Sequence, residues 1–405
     1  MVASGNIRLR SARIAAGYPS QQELADALGV GVRQVRRWES ATPPWPHPDQ
    51  AQALTRVLGQ DLDALGFTPP GGVNPARRTV LAATATAVGL AAMPSQAVAV
   101  QPATAADDYE AVTRSHRRLY WSVAPAALHP AAVAHATLGC ALLPETHGQT
   151  RARIAAALAE TQLLAGRIEF FDMRDPDRAA HTLLRALQAA GEADDALLGA
   201  AILAHTAFIP AWTGERDAAV ERMTAARTYA RRGPASAELL AWLDAVEAEC
   251  EARCGHTRTA LNVIGHAEDV LARGGEHPSP EWLDWFSPVR LAAFKGNVQL
   301  KAGHLPQART TLLQVLDALD PSEEKQTTVI LGDLAAVEAT AGEPEAACGY
   351  AVRALEQLER TWYATGMERV RDVRRALVPH QHERCVRELD DRLYGWSTTV
   401  SALAR

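Results

Sequence analysis

The sequence predicts an all-α protein in three parts: a small five-helix domain over residues 1–67, a linker over residues 68–107, and an array of paired helices over residues 108–405. Three observations predict it. Residues 21 to 39, QQELADALGVGVRQVRRWE, carry apolar residues at helical spacing on both sides of a glycine-containing break. Residues 68–107 collect proline, glycine, alanine and threonine, a linker composition. From Asp108 onward the chain reads as helix, and a glycine followed five residues later by alanine marks four units spaced 39 to 48 residues apart.

Residues 6–16 predict the first helix, with Ile7, Leu9 and Ile14 apolar and its arginines outward. The second starts at Gln21. Ser20 is placed to cap it, with Glu23 as reciprocal partner, and Leu24, Ala25 and Leu28 form its inner face. Gly29, Val30 and Gly31 break the helix, glycine allowing the positive φ of a tight turn. Val35 and Trp38 then place one face of a third helix inward, leaving Arg33, Gln34, Arg36 and Arg37 outward or flanking. Residues 40–48 hold four prolines and form a loop in which Ser40 and Thr42 can donate to backbone phosphate. Asp49 is placed to cap a fourth helix that ends at Gly59, and Leu62, Leu65 and Phe67 supply the last apolar face.

Two short helices joined by such a turn make a helix-turn-helix unit, whose second helix enters the major groove of DNA. Arginine there can grip guanine O6 and N7, and glutamine adenine N6 and N7. Over about residues 7–67 the chain resembles the Cro/repressor-type (XRE-like) family, so the predicted domain is a five-helix repressor-like DNA-binding domain. The resemblance implies that Gln21 anchors a phosphate, that Arg33, Gln34 and Arg37 read bases beside Arg36, and that Val32 meets a thymine methyl. It also implies a structural ion pair between Arg13 and Glu39. Two features depart from the family pattern: the link Gly17-Tyr18-Pro19-Ser20 is one residue longer, and Gly31 replaces the usual Ser or Thr cap.

Charge distribution fits a DNA partner better than total charge does. The net charge is −6, yet residues 1–39 hold six arginines against Glu23, Asp26 and Glu39, an excess of three positive charges. Only three of the 41 basic residues are lysines, so arginine content alone says little, and the spacing carries the inference. Within the linker, Arg77-Arg78 and the apolar run 79–93 resemble a twin-arginine export signal or short anchor. The run is 15 residues of mainly Ala and Thr, short of the roughly 20 that a span needs, so a linker helix is expected and a membrane partner is not.

In the array, the glycine–alanine pairs are Gly214 and Ala219, Gly255 and Ala260, Gly303 and Ala308, and Gly342 and Ala347. Each alanine is followed at i+4 and i+7 by small or apolar residues, as at Met223 and Ala226. This resembles the tetratricopeptide family and implies an α-solenoid of tetratricopeptide-like helix pairs, although the glycine spacings of 41, 48 and 39 exceed its usual period. A degenerate earlier unit is read with Gly166 at its turn and Ala180, Leu184 and Leu187 as its stripe.

Trp212, Trp242, Trp282 and Trp285 could line a ligand groove in the array. No nucleophile elbow, phosphate loop or HExxH motif is present, so neither an enzyme nor a cofactor is expected. Five scattered cysteines suit reduced core thiols in a cytoplasmic protein. His380, His382, Glu383 and Cys385 are the nearest approach to a metal set and are read instead as a polar helix start, so no metal is expected. The reading is therefore a transcriptional regulator binding double-stranded DNA as a homodimer, with a helical array that dimerises or senses a peptide, small molecule or protein. The alternative is an interaction scaffold whose N-terminal motif no longer binds DNA.

Overall fold

In the computed structural model, the described residues are 5–40, 43–62, 64–67 and 101–403. The chain divides into two compact units, residues 1–95 and 96–405. All regular structure among the described residues is helical.

The first unit holds α1 (Ile7–Ala15), α2 (Gln21–Leu28), α3 (Val32–Trp38) and α4 (Pro48–Leu58). The capping box forms as expected: the Glu23 amide donates to Ser20 Oγ (3.2 Å), and the Ser20 amide donates back to Glu23 Oε2 (3.0 Å). Gly29 closes α2 with φ 65°, whereas Gly31 has φ −71° and needs no glycine. Leu9, Leu24, Val35, Trp38, Leu54 and Leu65 meet in the core, where Phe67 sits edge-on to Trp38. Three expectations change. Ile14 is 54% exposed and Arg13 is buried, because Arg13 has partners that Ile14 lacks. Helix α4 begins at Pro48, whose fixed φ suits a first turn, so Asp49 lies inside the helix rather than capping it. Among the described residues, the last apolar face comes from a turn around Leu62, Leu65 and Phe67 rather than a fifth helix. The linker segment 68–100, with the apolar run 79–93, lies outside the described residues.

The second unit begins its first helix inside the expected linker, with α5 at Thr104–Leu119, followed by α6 (Pro125–Leu142). Five helical hairpins follow: α7 (Gly148–Arg167) with α8 (Pro176–Glu192), α9 (Ala196–Trp212) with α10 (Arg216–Ala230), α11 (Ala237–Arg253) with α12 (Thr257–Arg273), α13 (Pro288–Lys301) with α14 (Leu305–Ala318), and α15 (Glu324–Ala341) with α16 (Pro344–Arg360). Helix α17 (Ala364–Ala376) packs on α15 and α16, and α18 (Arg384–Leu403) on α16. From α9 onward, the first helix of each hairpin also packs on the first helix of the next. Helix α6 is long and apolar enough to cross a membrane by composition, yet it packs on α5 and α7 through Leu128, Ala132 and Ala136.

The recurring glycines turn the last four hairpins. Gly214, Gly255, Gly303 and Gly342 all have φ between 77° and 83°, and the residue after each donates its amide five residues back, as Glu215 does to Pro210 (2.9 Å). The stripes that follow them are buried throughout, from Ala219, Met223 and Ala226 to Ala347, Ala351 and Ala354.

The first hairpin keeps this plan with a different turn residue. Gly166 is not at the turn. It lies inside α7, where a Cβ would stand 2.9 Å from Leu183 Cδ2. The turn residue is Arg174, at φ 60°, and Ala179, Leu183 and Ala186 follow it at the same offsets as Ala219, Met223 and Ala226 follow Gly214. The expected stripe is one residue out of register, since Ala180 and Leu184 face solvent and Leu187 is half-buried. A π-helical segment, Ile168–Asp172, extends α7 and adds one residue, so Asp175 donates six residues back, to Glu169 (2.9 Å).

Candidate nucleic-acid interface and aromatic cavity

The outer face of α3 is held from behind by Glu39. One carboxylate oxygen accepts from Arg13 Nε (2.7 Å) and the other from Gln21 Nε2 (2.6 Å), tying α1 and α2 to the end of α3. Arg13 also donates through Nη1 to the carbonyls of Tyr18 (2.8 Å) and Pro19 (2.7 Å), which seats the longer link on the same guanidinium. Asn6 adds a fourth strut that sequence reasoning missed. Its side-chain amide donates to the carbonyls of Trp38 (3.2 Å) and Leu65 (2.9 Å), and its backbone amide to that of Glu39 (2.9 Å). An asparagine just before a helix reads as a cap, which it also is, so nothing in the sequence marks its reach to residue 65.

With its inner face so fixed, α3 presents Arg33, Arg36 and Arg37 to solvent, and none of the three has an ion-pair partner among the described residues. Gln34 and Val32 are half-buried beside them, Val32 against the core. Ser40 is half-buried at the end of the same face, its hydroxyl donating to the Arg37 carbonyl (2.7 Å). Gln21 is half-buried, with its amide nitrogen on Glu39. Thr42 lies outside the described residues.

The four tryptophans of the array do come together. Trp212, Trp242 and Trp285 line a cavity of about 120 Å³. Trp242, Trp282 and Trp285 line a smaller one of about 30 Å³ beside it, and Arg167 and His205 border both. The stack closes around this space through its ends. Lys325 on α15 reaches Asp172 at the π-helical end of α7, and Thr365 on α17 donates to the Phe171 carbonyl (2.8 Å). The wide spacing between Gly255 and Gly303 is explained by residues 274–287, the segment that carries Trp282 and Trp285 inward.

Sequence reasoning missed the charged half of the wall, because nothing in the spacing relates Arg167 to Arg290 or Arg369. Burial holds the Arg290 guanidinium down at about 10, and burial with the nearby Arg167 charge holds His205 down at about 3. His205 Nδ1 lies 2.8 Å from the Ala201 carbonyl and so carries the proton of the neutral ring. Burial lifts Glu160, beside the smaller cavity, to about 7 despite its contact with Arg117. Among the described residues no three His, Cys, Asp or Glu side chains gather as a metal would need, and His380 instead contacts Glu383 (2.7 Å). Cys250 and Cys348 are buried, whereas Cys140 is exposed.

No curated protein matches the chain. Residues 9–65 match the helix-turn-helix family, the span that holds the capped α2, the Gly29 turn, α3 and the Arg13–Glu39 pair. The N-terminal unit is thus an XRE-type helix-turn-helix domain, and the chain a DNA-binding regulator at that level, followed by a separate helical unit.

Proposed function

We propose that the protein is a sequence-specific transcriptional regulator that binds double-stranded DNA as a homodimer and that its helical unit is a tetratricopeptide-like sensor. The observation that carries the DNA-reading part is the outer face of α3: three solvated guanidiniums without an ion-pair partner among the described residues, on a helix whose inner face is held by Glu39 and Asn6. Arg33 and Arg37 then read bases, and Arg36 and Ser40 serve the backbone. Gln21 approaches phosphate while keeping its amide on Glu39.

Dimerisation is supported by geometry and surface. One such motif covers few base pairs, so specificity calls for two half-sites about 34 Å apart. Helix α6 leaves the apolar side chains Val133 and Leu138 exposed. The recurring glycine turns and buried stripes support the tetratricopeptide-like reading, and the aromatic cavity supports the sensor. In this reading the protein works in the cytoplasm and is not an enzyme.

Selection of bound fragments from random genomic DNA tests the reading. Enrichment of one inverted or direct repeat is expected. Recovery of fragments without a shared sequence would overturn it in favour of an interaction scaffold.

A further inference from the structure

We propose that the cavity between Arg167, Trp242 and Trp285 is a binding site for a small planar aromatic monoanion, such as an aromatic carboxylate. This deepens the sensor reading and rests on it for its regulatory meaning, though not for the binding itself.

Shape and lining specify the apolar part. Trp121, Phe171, Phe208, Trp212, Trp242 and Trp285 border a space of about 120 Å³, of the order that takes a single aromatic ring. Such walls could suit a neutral, cationic or anionic ligand, and the arrangement of charge distinguishes them.

The neighbouring cations have carboxylates of their own. Arg290 Nη2 lies 2.8 Å from Glu323, Arg369 3.4 Å from Asp333, Arg253 3.2 Å from Glu249 and Arg117 2.7 Å from Glu160, while Lys325 holds Asp172. Arg167 is the exception. Among the described residues it has no ion-pair partner, and its buried Nε has no hydrogen-bond acceptor. Its guanidinium carbon instead lies 4.6, 5.6 and 5.1 Å from the ring centres of Tyr120, Trp121 and Trp285, at the border of both cavities. Arg290, only 3% exposed, also keeps an unpartnered Nε on the same wall. Arg167 is half-buried with its Nε sealed and lacking an acceptor, a partial desolvation without an anion that an incoming carboxylate relieves.

A cationic ligand is disfavoured by the same facts. Three of the six lining rings that could hold an ammonium are already taken, Trp121 and Trp285 by Arg167, Trp121 also by Arg290 (3.9 Å), and Trp212 by Arg174 (5.4 Å) and Arg253. The lining carboxylates, Glu249 and Asp333, are paired. What remains open is one positive charge beside aromatic walls.

The test uses the full chain and calorimetric titration with benzoate and indole-3-acetate, each beside its neutral amide. At least one acid is expected to bind once per chain, quench tryptophan fluorescence, and exceed its amide by about ten- to a hundredfold, the worth of one charge-assisted hydrogen bond. Arg167→Gln should bring acid down to amide, and Arg167→Lys should retain part of the preference. The acid–amide comparison on the unaltered chain stands even where a variant fails to fold. The proposal is overturned if no acid binds in the millimolar range, if amides bind as well as acids, or if Arg167→Gln keeps the preference. Operator affinity measured with and without the bound acid separates the two readings. Unchanged affinity leaves the site standing and removes its sensing role, whereas absent binding removes the site and leaves DNA reading intact.

Discussion

Lys325 and Asp172, 153 positions apart, form an ion pair with both side chains sealed from solvent. Tyr120 donates its hydroxyl to the other Asp172 oxygen (3.2 Å), and its ring lies 4.0 Å from the Lys325 amine. Three distant stretches of the second unit therefore close around the cavity on one carboxylate. Burial pushes Asp172 up and Lys325 down, and their contact opposes both shifts. Asp172→Asn or Lys325→Met alone should cost about 3–5 kcal/mol, each stranding a buried charge, whereas the double variant should cost clearly less than the sum. Urea denaturation of the four proteins measures this. Additive losses would show that the pair is not coupled.

Glu39→Gln should loosen the first unit more than the exposed change Glu23→Gln does. Arg13 keeps its two carbonyl acceptors but loses its only counter-charge among the described residues, at a cost of about 3 kcal/mol. Hydrogen exchange across α1–α3 in the full chain reads the effect. Equal protection in the two variants would contradict the structural role of the pair.

Arg174 stands where the other hairpins have glycine, with φ 60°. A non-glycine residue there carries about 1–2 kcal/mol of backbone strain, and its half-exposed contact with Glu368 returns less than about 1 kcal/mol. Arg174→Gly should therefore be more stable than Arg174→Ala by about 1 kcal/mol in denaturant titration. An alanine variant as stable as the glycine variant would place the strain elsewhere.

The neutral, buried His205 ties stability to pH. Its folded pKa, about 3, lies below the unfolded value near 6.5, so between those values the unfolded chain binds more protons and stability falls as pH falls. From pH 6.5 to 5 the parent should lose about 2 kcal/mol that His205→Gln does not lose. Glu160, raised to about 7, acts in the opposite direction but is common to both proteins, so the difference isolates the histidine. Parallel stability curves would contradict this.

The first unit was largely legible because its signals are local. Ser20, Glu23 and Gly29 act within a few residues, and the Arg13–Glu39 pair follows from the family resemblance. Four hairpins were legible because their turns need positive φ and glycine supplies it. The first was misregistered because Arg174 takes that conformation without being glycine, while Gly166 serves close packing against Leu183. Trp212, Trp242, Trp282 and Trp285 were identifiable as aromatic anchors. The charges beside them were not, since Arg167, Arg290 and Arg369 converge through the closure of the stack, which no helical period encodes.

The central claim is that α3 reads bases, and binding of the full chain to its selected site and to a scrambled duplex at one fixed salt concentration tests it most directly. The parent should prefer the site. Arg33→Ala or Arg37→Ala should lower affinity for the site by about 1–3 kcal/mol with little change on the scrambled duplex, while Gln21→Ala should weaken both alike. Equal losses on both duplexes for Arg33→Ala and Arg37→Ala would contradict the account, because those arginines would then be holding phosphate and reading nothing.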